Sequence, residues 1–230
     1  MYTVERRESM VKVLRWSTFL IGLIFFSAGI TLAINVQNLG VQAWDTLHVA
    51  LNDKFGLTIG TWSILIGFVL IGTTLILDKS YIKIGTFLNL VIVGLLVDFH
   101  LWLDVLPKAT GRWTDVLIIL SGMILMGLAG GMYNAGGVGS GPRDGFMLAV
   151  SYKWNIPIGR MRIITETSVV LIGFLLGGPV FLFTFLFTLV QSPLFQYSYL
   201  KISQFIERFE MNENKRLVPL NTKKLANEEK

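Results

Sequence analysis

Two aspartates 99 positions apart, Asp45 and Asp144, each open a short stretch that matches the other. Between residues 45–60 and 144–159, five of sixteen positions are identical without a gap: Asp45/Asp144, Ala50/Ala149, Lys54/Lys153, Ile59/Ile158 and Gly60/Gly159. The same offset pairs Asn35 with Asn134 and Gly40 with Gly139. A run that frees the backbone precedes each aspartate: Asn38-Leu39-Gly40 in one copy, and Gly136 through Pro142, with Gly139 and Gly141, in the other. A carboxylate at a helix start does one of two things. It caps the free first-turn amides, or, beside an exposed glycine-rich backbone, it helps to form an ion or substrate site. Arg143, next to Asp144, adds a cation that favours anionic groups; the first copy carries Trp44 at that position, so the two ends differ chemically.

Two further residues belong with these. Glu166 lies eight residues past Ile158, about 12 Å along an apolar helix, and an intramembrane carboxylate marks a functional site by default. Its bland alternative is an ion pair with Arg162 four residues earlier. His48, one turn after Asp45, could make a proton-sensitive contact with it, although a surface position is the simpler expectation. Asn89 and Gln191 read as hydrogen-bonding contacts between helices. Asp98, His100 and Asp104 do not share a helix face, so no metal site is expected. Neither an H-E-x-x-H nor a G-x-S-x-G motif is present, and no enzyme activity or cofactor is implied.

The elements that must position these residues are apolar. The chain has 230 residues, 53% hydrophobic and 15% charged, with a mean hydropathy of +0.61; soluble domains carry about 25% charged residues. Six apolar segments are expected to span a bilayer: Trp16–Val36, Gly60–Leu77, Ile82–Trp102, Val116–Tyr133, Ile158–Leu176 and Val180–Tyr199. The first follows basic residues but is about twice the length of a signal-peptide core, so it reads as a retained helix. The segments 45–55 and 144–154 carry apolar residues at i, i+4 and i+8 and are too short to span, so they re-enter or lie flat.

The expected fold is therefore an all-α polytopic membrane protein with a 3+3 inverted-topology repeat and two short broken helices. Residues 1–14 form a cytoplasmic segment, 15–105 the first repeat, 113–200 the second, and 201–230 a charged cytoplasmic tail expected to form a surface helix that frays into disorder. Of 20 lysines and arginines, all but Lys54, Lys108 and Arg112 fall on one side, which puts both termini in the cytoplasm. The net charge of +5 is thus a topological signal, and no nucleic-acid partner is expected. Zero cysteines exclude disulfides and thiolate chemistry. Gly122, Gly127, Gly130 and Gly131 allow close helix packing, within one chain or between two copies.

The stretches Asn38-Leu-Gly-Val-Gln-Ala-Trp-Asp45, Leu57-Thr-Ile-Gly-Thr-Trp62, Ile84-Gly-Thr-Phe-Leu-Asn89 and Gly137-Val-Gly-Ser-Gly-Pro-Arg-Asp144 resemble the bacterial YczE/YyaS/YitT membrane-protein family. The resemblance covers roughly residues 15–200 and implies a multi-spanning plasma-membrane protein without naming a substrate. At the last helix Phe181-Leu-Phe-Thr-Phe185 departs from the family's Gly-Ile-Gly-Thr-like run. The leading functional expectation is transport of a small solute, with proton coupling through Glu166 or the aspartates as one route. A scaffold that binds a protein partner and an ion channel are the alternatives. The candidate residues are Asp45, His48, Gly139, Gly141, Arg143, Asp144 and Glu166.

Overall fold

A computed structural model describes the backbone of residues 2–228 and the side chains of 9–212. Among the described residues it holds eight helices and no strand. They are α1 (Tyr2–Asn35), α2 (Ala43–Phe55), α3 (Ile59–Leu77), α4 (Ile84–Leu103), α5 (Thr114–Ala135), α6 (Pro142–Lys153), α7 (Ile158–Leu175) and α8 (Leu182–Glu228). Four are long and apolar enough to cross a membrane: Ser9–Asn35 of α1, α3, α4 and α5. Arg160, Arg162 and Glu166 lower the apolarity of α7, and Gln191, Pro193 and Gln196 that of α8. Large apolar side chains such as Val69, Ile76, Leu175 and Leu189 face outward, as a lipid-facing surface requires.

α2 and α6 have 13 and 12 residues, about 20 and 18 Å of helix, so neither crosses a core of about 30 Å. Chain turns deliver them, and two glycines make those turns possible. Gly40 (φ 108°) precedes α2 and Gly137 (φ 70°) precedes α6, both in backbone regions that favour glycine.

Helices in lipid gain little from apolar burial against one another, so close packing has to hold them together. α1 crosses α5 at glycine notches: a Cβ on Gly22 would stand 2.7 Å from the Tyr133 amide nitrogen, and one on Gly122 2.9 Å from the Gly29 carbonyl. Gly127 and Gly131 do the same for α5 against α8, so these small residues serve contacts within the chain. α3 and α4 close on Gly60 and Gly94, where Asp98 accepts from the Gly60 amide at 2.8 Å. α2 packs on α7, and α6 on α3.

The N-terminal helix extends further than the sequence suggested, and the helix expected in the tail is continuous with the last apolar segment. α1 starts well before Trp16, and α8 continues unbroken past Tyr199. Fraying after Ile202 is not observed over the residues with described side chains. Ile206 is 1% exposed, and Arg15 of α1 pairs with Glu210 of α8 at 3.2 Å, so packing holds a stretch that looks solvated in sequence. Residues from 213 onward lie outside the described side chains.

The notches yield a direct prediction. Gly22→Ala presses a methyl onto the Tyr133 backbone and is expected to cost about 1–3 kcal/mol. Gly72→Ala, where a Cβ meets nothing within 4 Å, is expected to be neutral or stabilising by up to about 1 kcal/mol from helix propensity. Thermal melting of the detergent-solubilised variants checks the contrast.

Candidate functional site

The site is built where the two short helices begin. The residue preceding α2 is Gln42 and the one preceding α6 is Gly141, both with extended backbones (φ −59°, ψ 151° and φ −62°, ψ 154°). Pro142 occupies the first helical position of α6, where its fixed φ suits a helix start. Asp45 and Asp144 are therefore the third helical residues and not the caps. No side-chain cap bond forms at either start, so the capping role that the sequence allowed is not observed. The Gln42 side chain is committed elsewhere, donating to Gln191 Oε1 at 2.9 Å, and Gly141 has none. Both carboxylates still lie in a first turn, where the helix dipole favours negative charge.

Arg143 ties one short helix to the other. From α6 its guanidinium donates to Asp45 Oδ1 at 3.4 Å and to Gln42 Oε1 at 3.5 Å, both on the opposite copy. Its central carbon lies 5.3 Å from the Trp44 ring centre, within the reach of a cation–π contact. The difference between Trp44 and Arg143 is thus complementary: each copy supplies what the other lacks. Asp45 is 1% exposed and also faces His48 Nδ1 at 3.5 Å. His48 is 2% exposed, so the surface position expected for it is corrected; the helix face that carries Asp45 turns inward and takes His48 with it. Asp45 Oδ2, His48 Nε2 and Asn89 Nδ2 are buried without a hydrogen-bond partner.

These groups surround a central cavity of about 100 Å³, room for several waters or one small solute. His48, Gly141, Arg143, Asp144 and Glu166 line it. Asp45 sits behind Arg143 and is not among the lining residues. Gly139 lies elsewhere, with a would-be Cβ 2.5 Å from the Thr86 amide nitrogen and 2.6 Å from the Gly85 carbonyl carbon; it allows the α6 entry loop to touch α4. Glu166 fulfils both readings of it. It accepts from Arg162 at 3.0 Å, also accepts from Thr188 at 2.7 Å, and faces the cavity.

Gln42, Asn89, Tyr133, Arg162 and Gln191 also line the cavity. Asn89 and Gln191 were legible only as polar residues within apolar helices, and nothing local to Tyr133 announced its place. The lining has an internal register: Ser63, Ile66 and Gly67 of α3 face the same space as Arg162, Thr165 and Glu166 of α7, each 99 positions further on. Among the described residues, no three histidine, cysteine or acidic side chains are placed to hold a metal ion.

Residues 13–199 match a family described as a family of unknown function, DUF6198. The chain belongs to that family. Among its relatives, the uncharacterized membrane protein YczE of Bacillus subtilis is 35% identical over 188 residues, covering 81% of this chain and 86% of the relative. An uncharacterized protein of Haemophilus influenzae is 30% identical over 156 residues, 67% of this chain and 69% of the relative. YyaS of Bacillus subtilis, also uncharacterized, is 26% identical over 199 residues, 85% and 96% of the two chains. No solved structure matches. The family match takes in both short helices and every residue lining the cavity, and it stops at Tyr199, before the extension of α8.

The inter-helix pair is open to a double-mutant test. Arg143→Gln leaves Asp45 as an uncompensated buried charge, which is expected to cost about 3 kcal/mol or more. Adding Asp45→Asn removes that charge and should return part of the loss, giving a coupling energy in excess of about 0.5 kcal/mol. Melting temperatures of the two single variants and the double variant measure it.

Proposed function

We propose that the protein is a secondary transporter of a small solute, with six crossings arranged as a 3+3 inverted repeat. In this reading α7 and the first part of α8 are the fifth and sixth crossings, and both termini face the cytoplasm of a bacterial cell. The observation that carries it is the meeting of two short helices, N-terminus towards N-terminus, at a polar cavity inside an apolar helical body. Broken helices at a repeat interface are where secondary transporters bind their cargo. The exchange of partners between copies supports the same plan: α2 lies on α7 and α6 on α3, as two units related by a two-fold axis would arrange them. The 99-residue register of the lining adds to it. Glu166 and Asp144 are the groups that would exchange a proton if transport is proton-coupled.

Reconstituted proteoliposomes test it. Under an imposed pH gradient, a metabolite panel should include one solute whose uptake saturates and is lost in Asp144→Asn and Glu166→Gln while both variants melt like wild type. Non-saturating conductance would point to a channel. A scaffold is favoured by one feature alone, the 47-residue α8, about 70 Å of helix and more than twice a bilayer core. It predicts that deleting residues 213–230 abolishes co-purification of a protein partner from membranes while the acidic variants leave it intact.

A further inference from the structure

The acidic side chains around the cavity are not all paired. Arg143 is engaged by Asp45 and Arg162 by Glu166. Asp144 makes no ion pair or hydrogen bond among the described residues. Of the three carboxylates, Asp144 is therefore the one without an ion-pair partner among the described residues.

The surroundings of Asp144 have a definite shape. Gly141 lacks a side chain, and the point where its Cβ would stand lies 3.4 Å from the Tyr133 hydroxyl, 3.5 Å from Asn89 Oδ1 and 3.8 Å from Asp144 Oδ2. Three oxygens from α5, α4 and α6 thus lie close together beside Gly141, each within 3.8 Å of that position, at the cavity wall. Tyr133 is 5% and Asn89 6% exposed, and the Tyr133 ring is held edge-on by Phe19 and Phe26 at 6.3 and 5.5 Å. Asn89 Nδ2 has no partner, which leaves a donor for an acceptor atom on a ligand. Trp44, Phe26 and Phe195 supply aromatic walls around the same space.

We infer that Asp144, Asn89 and Tyr133, grouped around Gly141, form the seat of a small protonated amine that carries a hydrogen-bond acceptor, of the amino-alcohol kind. This deepens the transport reading, on which it rests for the amine to be the cargo. An ammonium group presents three N–H donors to three oxygens, and charged N–H···O bonds close at about 2.7–2.9 Å; it would sit on the cavity side of this oxygen group, because the Cβ position itself is a bond length from the Gly141 backbone and is closed to a ligand atom. A calcium ion would need six or more oxygens at about 2.3–2.6 Å, which the three do not supply. An anionic solute would meet Asp144 directly, and each guanidinium already has a carboxylate partner. The aromatic walls favour a cation as well.

Gly141 offers the sharpest test. Its φ of −62° suits any residue, and an added Cβ meets its neighbours at ordinary contact distance, so Gly141→Ala should fold normally while its methyl projects among the three oxygens and crowds the seat. The experiment is equilibrium binding of radiolabelled ethanolamine to the purified full-length protein in nanodiscs. Propylamine, ethylene glycol, glycolate, sodium chloride and potassium chloride serve as competitors. Saturable ethanolamine binding is expected, displaced by propylamine at higher concentration and not by ethylene glycol or glycolate. Gly141→Ala and Asp144→Asn should each weaken it about 30-fold or more, as expected when one partner of a buried charge contact is lost or blocked, with wild-type melting temperatures.

Four results overturn the inference: no saturable ethanolamine binding; displacement by glycolate; displacement by sodium or potassium at matched concentration, which indicates a metal-cation site; or unchanged binding in a well-folded Gly141→Ala. If either variant misfolds, the wild-type competition series decides alone. Flux separates the two readings. Ethanolamine that binds but does not cross the proteoliposome membrane overturns transport and leaves the amine seat standing. A neutral or anionic solute carried in an Asp144-dependent way does the reverse.

Discussion

A charge taken out of water must find its partner inside the protein, and in this molecule that requirement is met across the two halves of the chain. Arg143 of α6 reaches Asp45 of α2 over 98 positions of sequence. Leaving either group unpaired is costly in a low-dielectric interior, so the two short helices must start close together. The rest of the arrangement depends on that meeting. α2 and α6 end their backbone breaks at one place, α3 and α7 pack behind the opposite short helix, and the space left between them becomes the cavity. Neither short helix could hold this position alone, since about 20 Å of helix cannot anchor itself on both faces of a bilayer.

The two copies share a plan and differ in their chemistry. In the first, Thr58 caps α3, Asp98 accepts from the Gly60 amide, and Gly67 tucks under Leu90, so that α3 and α4 are sealed together. Each counterpart 99 positions on is changed: Pro157 for Thr58, Tyr197 for Asp98, Glu166 for Gly67. Gly159, which matches Gly60, has nothing within 4 Å of a would-be Cβ. Among the described residues α7 and α8 show no comparable packing, and the Thr188–Glu166 hydrogen bond bridges them. The position that seals the first copy therefore carries the cavity's carboxylate in the second. Glycine allows contact where helices must touch, and polar side chains appear where they must not.

Some of the site was legible before any coordinate was known, and the reason differs from residue to residue. Asp144, Arg143 and Gly141 announced themselves because glycine and proline punctuate the chain locally, and Glu166 because a carboxylate is rare in an apolar run. Gly139 belonged to the same punctuation but serves close approach to α4, a distinction that only the neighbouring helix reveals. Asp45 and Asp144 looked like caps because aspartate caps often; the cap positions lie three residues earlier, at Gln42 and Gly141. His48 looked exposed because a lone histidine carries no signal of burial. Ile206 and Glu210 looked like a solvated tail because their partners lie on α1, some 195 positions away in the case of Arg15.

Sequence alone determined the solvent, the helices, the two breaks and the internal repeat, because hydropathy, glycine and proline content, and repeat offset are all readable within a few turns of chain or by direct alignment. Tertiary structure decided which polar residues share a space. Tyr133, Asn89 and Asp144 lie on three different helices, and their convergence on Gly141 follows from how those helices cross. Crossing is set by steric contact between residues far apart in the chain, such as Gly22 against Tyr133 and Gly139 against Thr86. No local pattern encodes those contacts, so the site's chemistry became visible only when the helices were packed.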